Sequence, residues 1–362
     1  MPPDQRQELP SRPRPRSGLG WLAERCRGFR QVLRDPLRKP LSQIVREAAD
    51  VARRSRAYPE WYFLSFAYRR DAGHYSEYLV RDKYKRLEGL REGECHEVLE
   101  DKLRFHERFR DTDCRIPRLL AHNCGNVFHV GETVRHIDDS RSFAALLDEL
   151  CGRSTTNSVF IKPVDGRQGR HCYRIDPASG DVSWIYAEAV TRRFLFEETL
   201  VQHEALSAVF PCSVNTIRVV TCAGPGEPPV VVAALLRLGA EGRAVDNASQ
   251  GGVFVGVELE TGRLLPLAHR FFKHGGRVYA THFRFARFEI PLFPEVLMAA
   301  EKAAAHVPHE LVGWDIAVTK AGPVIIEGNA VPDLPIMEIA HGRGLTAHPS
   351  IRKLCGRLDA LG

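Results

Sequence analysis

The chain lacks several features that would place it quickly. No apolar run approaches the roughly 18 residues of a membrane span. The N-terminus has no apolar stretch of the kind that marks a secretory signal, so a cytoplasmic protein is expected. None of the nine cysteines forms a C-x-x-C pair. An odd, scattered set reads as reduced thiols, not as a disulfide framework or a zinc site. There is no Ser-His-Asp or Cys-His signature for nucleophilic catalysis, no Gly-Lys-Ser/Thr ahead of a helix as in a Walker loop, and no internal repeat. His306 and His309 read as helix-end residues, because two histidines alone make an incomplete metal site.

What is present is ordinary soluble-protein composition, 44% hydrophobic and 27% charged over 362 residues, with room for two or three subdomains. The net charge of +6 is unevenly placed: residues 1–60 hold 14 Lys/Arg against 7 Asp/Glu, so the remainder is close to neutral. A nucleic-acid binder should carry a basic face on its body, and none is expected here. The basic N-terminus is a candidate for docking an anionic surface or partner, but a solvated extension is the preferred reading.

Along the chain, residues 1–57 read as a basic extension, Pro/Arg/Ser-rich to residue 18 and weakly helical after it through Leu19, Leu22 and Cys26, then Ile44, Ala48 and Val51. Residues 58–94, aromatic and charged, read as helices packing on a main domain. From about residue 95 helix and strand alternate, with turn signals that suggest mainly antiparallel pairing and an α+β fold. Short elements are expected at Val159–Lys162, Cys172–Ile175, Trp184–Glu188 and Arg193–Glu198. Longer β runs follow at Ser213–Cys222 and Pro229–Leu238.

The most informative stretch is a hairpin formed by Gly313–Thr319 and Pro323–Asn329. If its turn centres on Ala321, Thr319 faces Pro323, Ala317 faces Ile325 and Asp315 faces Glu327, with Asn329 on the same strand face as Glu327. Two carboxylates side by side are costly to bury unless a cation sits between them. Mg²⁺ fits such a set, since it is hard and takes oxygen ligands. Solvated acids at a strand end are the plain alternative.

Other signals are individually weak. Phe160-Ile161-Lys162-Pro163 ends a buried-type strand in a lysine, and the loop after it carries Gly166, Gln168 and Gly169. Such glycines let backbone N–H groups approach a polyphosphate, although a surface hairpin has the same residues. Glu197 and Glu198 follow an apolar strand. Arg218 sits inside the apolar run Ser213–Thr221 and must find an anion or stack; a bound phosphate or a structural salt bridge would equally satisfy it. Asp246–Gly252 is a polar turn containing Asn247.

In this order, the set resembles the ATP-grasp superfamily, and most closely its sugar-transfer-associated branch, through SVNTIRVVT, GWDIAVT and GPVIIEGNA. The likeness spans about residues 95–350 and leaves 351–362 as a tail. It implies two α+β subdomains clamping ATP, a lid subdomain over about 155–198 and a metal and phosphate subdomain over about 199–350. On this resemblance Lys162 and, through a looser match, Lys102 would hold ATP phosphates. Gly166–Gly169 would form the lid loop, with Gln168 in it, and Glu197 or Glu198 would bind adenosine. Asn247 would reach the nucleotide, Asp315, Glu327 and Asn329 would ligate Mg²⁺, and Arg218 would meet the γ-phosphate or the acyl phosphate. Arg243 and Arg343 are candidates for a substrate carboxylate. The implied activity is an ADP-forming carboxylate–amine ligase acting on small-molecule, amino-acid or sugar-derived substrates. A kinase acting on a hydroxyl and a nucleotide-binding scaffold without catalysis remain as alternatives.

Overall fold

The structure, a computed structural model, describes residues 30, 32–55, 59–79, 81–90, 93–166, 169–177, 179–211, 213–239, 252–270, 277–278 and 284–361. Two antiparallel sheets organise it, as the α+β reading anticipates. The first comprises β1 (Leu119–Cys124), β2 (Val127–Val130), β3 (Thr133–His136), β4 (Val159–Pro163), β5 (Tyr173–Ile175) and β6 (Phe194–Glu198) in the order β3-β2-β1-β6-β4-β5. The second comprises β7 (Thr216–Cys222), β8 (Val230–Leu238), β9 (Val253–Val257), β10 (Leu264–His269), β11 (Arg277–Val278), β12 (Leu311–Thr319) and β13 (Gly322–Ala330) in the order β11-β10-β9-β8-β7-β12-β13. The first sheet thus begins at Leu119, well before the lid boundary suggested by the sequence. The element at 184–188 is a helix, Ser183–Ala189, lying with helix Ser140–Arg153 over one face of this sheet.

All seven residues of β7 are buried, because the second sheet is covered on both faces. Unbroken apolar runs rather than alternation are what such strands need. One face packs on helix Phe293–His306, whose buried Phe293, Val296, Ala300 and Ala303 recur at helical spacing. Helices Glu94–Glu100 and Lys102–Phe109 complete that layer through Val98, Leu99, Phe105 and Phe109. The other face, carrying Val220 and Leu235, packs on helices Leu41–Ser55, Glu60–Leu64, Leu334–His341 and Pro349–Leu361.

Val32, Ile44 and Val51 are buried in the main core, and Lys39 Nζ reaches Glu47 Oε2 at 2.8 Å in a buried ion pair. Residues 32–55 are therefore part of the body and not a solvated extension. A lone amphipathic stripe in a basic segment looks like a surface helix when the sheet face it covers is distant in sequence.

Candidate active site

The opening hairpin forms, but its register differs from the expected one. The turn is Lys320-Ala321, so Thr319 pairs with Gly322, Val318 with Pro323 and Ile316 with Ile325. A β-bulge at Ile326 then adds one residue to β13, and Asp315 pairs with Glu327 after all. The bulge aims Glu327 and Asn329 onto the face of Asp315. Arg218 pairs with Asp315 on the other side, so Leu235, Arg218, Asp315 and Glu327 form one row across β8, β7, β12 and β13.

Asp315 is 3% exposed and held by two guanidinium groups. Arg218 grips it bidentately, Nε on Oδ1 and Nη2 on Oδ2, the latter at 2.7 Å, and Arg237 Nη1 donates to Oδ2 at 2.8 Å. Burial pushes the Asp315 carboxyl up, but Arg218 and Arg237 outweigh it and hold the group far below the usual carboxylate range. The structure thus supplies the carboxylate that Arg218 requires. Arg237 escaped the sequence reading, although an arginine inside the apolar run Val230–Leu238 gives the same signal as Arg218.

Across from this row, β4 and β6 present Lys162 and Glu197 on one face of the first sheet. Lys162 Nζ lies 2.8 Å from Glu197 Oε1, and His106 Nε2 lies 2.5 Å from the same oxygen. Burial raises the Glu197 carboxyl, yet the Lys162 ammonium and His106 bring it below its ordinary value. Strand alternation turns Glu198 the other way, where it accepts from the Thr155 backbone N–H at 2.7 Å. Of the two expected adenosine ligands, only Glu197 faces the Lys162 side.

Lys102 joins the two halves. Its Nζ donates to Gly166 O at 2.5 Å and lies 3.8 Å from Glu327 Oε2. The loop after β4 therefore meets the end of β13 through one ammonium. Gly166 is crowded, since a Cβ there would lie 2.8 Å from Pro163 Cγ, and Gly169 adopts φ +65°, which favours glycine. The Cys172 thiol lies within electrostatic reach of Lys162, Lys102 and Glu327, and burial pushes it up to about 11. Cysteine at this position carried no signal in the sequence.

Asn329 Nδ2 lies 3.4 Å from both Gly313 O and Glu327 Oε1. Asp315, Glu327 and Asn329 thus offer oxygen donors from adjacent strands, and the Glu327 side chain keeps 32% of its surface exposed. Such a set suits a hard dication such as Mg²⁺. Gln168, Arg243 and Asn247 lie outside the described residues. Arg343 is exposed beyond helix Leu334–His341, beside Gly73, whose N–H donates to Gly342 O at 2.7 Å. The structure gives Arg343 no contact with the cleft residues.

The chain between β6 and β7 is fixed by a network the sequence hid. Asn215, fully buried, donates Nδ2 to Phe210 O at 2.8 Å and Leu206 O at 3.0 Å, while Gln202 Oε1 accepts from Asn215 N at 3.0 Å. Gln202 Nε2 donates to Ser213 O at 2.8 Å, and His203 N donates to Val318 O at 2.7 Å, tying the connection to the second sheet. Asn215→Ala is expected to lower stability by about 1 kcal/mol, since two buried hydrogen bonds are lost while Leu206 O keeps the Phe210 N–H and Phe210 O keeps Gln202 Nε2. Asn215→Asp should cost more, because it places a carboxylate against those carbonyls. Denaturant unfolding that ranks the two variants in the opposite order would contradict this.

Residues 179–353 match the model of the sugar-transfer-associated ATP-grasp family. No curated protein matches the chain. Among solved structures, the chain is similar to the ATP-grasp ligase PsnB complexed with a minimal precursor, Mg and ADP, at 15% identity over 74% of this chain and 59% of that one, with a TM-score of 0.39. It is also similar to D-alanine–D-alanine ligase from Bacillus anthracis, at 13% identity over 74% and 71%, TM-score 0.41. A third is the ADP complex of purK, N5-carboxyaminoimidazole ribonucleotide synthetase, at 9% identity over 72% and 52%, TM-score 0.43. The chain spans less than two thirds of the length of PsnB.

Proposed function

We propose that this chain, whose residues 179–353 match the model of the sugar-transfer-associated ATP-grasp family, is an ATP- and Mg²⁺-dependent ligase that joins a carboxylate to an amine. The observation that carries the reading is Lys102, whose ammonium spans Gly166 of the glycine loop and Glu327 of the acidic hairpin. Two lysines, two arginines and an oxygen donor set meet between two sheets, as binding of a polyphosphate requires.

In this reading Lys102 and Lys162 hold ATP phosphates under the loop from Gly166 to Gly169, and Glu197 faces the adenosine side. Asp315, Glu327 and Asn329 hold Mg²⁺, which when bound neutralises phosphate charge. Asp315 also orients Arg218 and Arg237, which supply positive charge for the γ-phosphate. A substrate carboxylate oxygen attacks the γ-phosphorus and ADP leaves. The amine nitrogen then attacks the acyl carbon, loses a proton and expels phosphate, giving an amide. Exclusion of water by the loop protects the acyl phosphate from hydrolysis. Amino-acid or sugar-derived carboxylates and amines are the substrate class this family match suggests.

The test is release of ADP and phosphate from Mg²⁺-ATP across a panel of amino acids and sugar acids, with and without amines, for the wild type and Glu327→Gln. Amine-dependent release of both products, lost in the variant, is the expected result. ADP without free phosphate would indicate a kinase. Failure of ATP and Mg²⁺ together to raise the melting temperature would leave a scaffold without catalysis.

A further inference from the structure

We propose that Asp113, Cys114 and His306 form a site for a divalent transition metal of the zinc class, outside the cleft, that staples the segment after helix Lys102–Phe109 to the C-terminal end of helix Phe293–His306. One oxygen, one sulfur and one nitrogen donor all lie within 4.8 Å of one another, the only such trio of His, Cys or acidic ligands among the described residues. Donors around a small tetrahedral ion need to close by only about an ångström from that spacing, given metal–ligand bonds of about 2.0–2.3 Å. The mixed donor set selects against Mg²⁺ and Ca²⁺, which take oxygen alone, and for zinc-class ions, which accept thiolate and imidazole. Three protein ligands leave a fourth position for water. His306 looked like an incomplete metal site because its partners lie almost 200 residues away in the chain.

The carboxylate of the site already meets a cation. Lys302, one helical turn before His306, places Nζ 2.5 Å from Asp113 Oδ2, and His306 Nε2 lies 3.5 Å from Oδ1. The Lys302 side chain is 56% exposed, so it can swing into water when a dication arrives. The imidazole packs edge-on against Phe109, with ring centroids 6.1 Å apart, and the Cys114 backbone N–H is held by Thr112 Oγ1 at 3.2 Å. The stapled segment also runs along the active-site hairpin: Ile325 N donates to Arg115 O at 2.8 Å, and the Arg115 guanidinium donates to Ala321 O. A bound ion would therefore brace the segment that follows the Lys102 and His106 helix, without touching nucleotide.

The experiment uses the full chain freed of metal by a chelator and titrated with Co²⁺ as a spectroscopic probe, then with Zn²⁺ by calorimetry. One equivalent should bind, producing thiolate-to-cobalt charge-transfer absorption and raising the melting temperature. Cys114→Ser should abolish that absorption. His306→Gln, on the more exposed side of the site, should weaken Zn²⁺ binding by at least ~10-fold, and it serves where Cys114→Ser fails to fold. Lys302→Met should tighten binding several-fold by removing the competing ammonium. Absence of the absorption in the wild type, its persistence in Cys114→Ser, unchanged affinity in His306→Gln, or weaker binding in Lys302→Met would each overturn the assignment.

Discussion

Asp315→Asn is expected to destabilise the protein by about 3–5 kcal/mol, the cost of breaking a buried ion pair by removing one partner. Asp315 is the carboxylate that Arg218 and Arg237 share, and both arginines are less than 10% exposed. Asparagine has nearly the same shape but presents one amide N–H₂ toward a guanidinium, so a donor faces a donor. Two buried guanidinium groups then lose the carboxylate they share. Arg218→Met is expected to cost less, because it removes one cation and leaves Asp315 paired with Arg237. Denaturant unfolding of the two variants tests the order, and an Asp315→Asn loss equal to or smaller than that of Arg218→Met would refute the charge argument. The sign with pH is also set. The folded carboxyl titrates below its unfolded value, so this stabilisation is present above the ordinary carboxylate range and is lost only as pH falls through the depressed folded value. Acidification should therefore unfold the wild type while leaving Asp315→Asn less sensitive to acid.

The pairing of Asp315 with Glu327 could be read from the sequence, but by compensation. The two-residue turn at Lys320-Ala321 and the bulge at Ile326 shift the register in opposite senses, and a period-two argument cannot see either one. What the sequence did carry was composition: an acid inside GWDIAVT and an acid and amide inside GPVIIEGNA have no apolar reason to be there. Arg218 was legible for the same cause, and Arg237, inside the apolar run Val230–Leu238, was equally legible. His106 was not. A histidine on an amphipathic helix is ordinary, and its value comes from Glu197, 91 residues on. The Gln202 and Asn215 network was hidden because Asn215 reads as part of a strand motif, whereas the structure uses it to close a loop. The metal trio combines a turn and a helix end, which only the packing of helix Phe293–His306 on Phe109 brings together.

Raising pH through neutrality should weaken the fold through one group, Glu338. It is fully buried in helix Leu334–His341, and Oε1 accepts from Leu79 N at 2.8 Å and Leu345 N at 2.9 Å. Oε2 has no partner among the described residues. Burial raises the carboxyl to about 8, and the two backbone N–H groups pull it down only in part. The folded state therefore keeps a proton that the unfolded chain releases near 4.5. Below that value both states are protonated and the group is neutral to stability. Between about 4.5 and 8 the folded state binds the extra proton, so stability falls as pH rises, by about 1.4 kcal/mol per unit at the steepest. Above that window the slope vanishes and the full cost of a buried carboxylate remains. The bonds from Leu79 and Leu345 join the N-terminal layer to the helices beneath the second sheet, so the loss should appear first as loosening of that layer, in hydrogen exchange of the Leu79 and Leu345 amides. Glu338→Gln keeps the acceptor and removes the proton. Its stability, measured against wild type from pH 5 to 8, should gain on the wild type steadily across the window, and parallel curves would show that Glu338 does not titrate there.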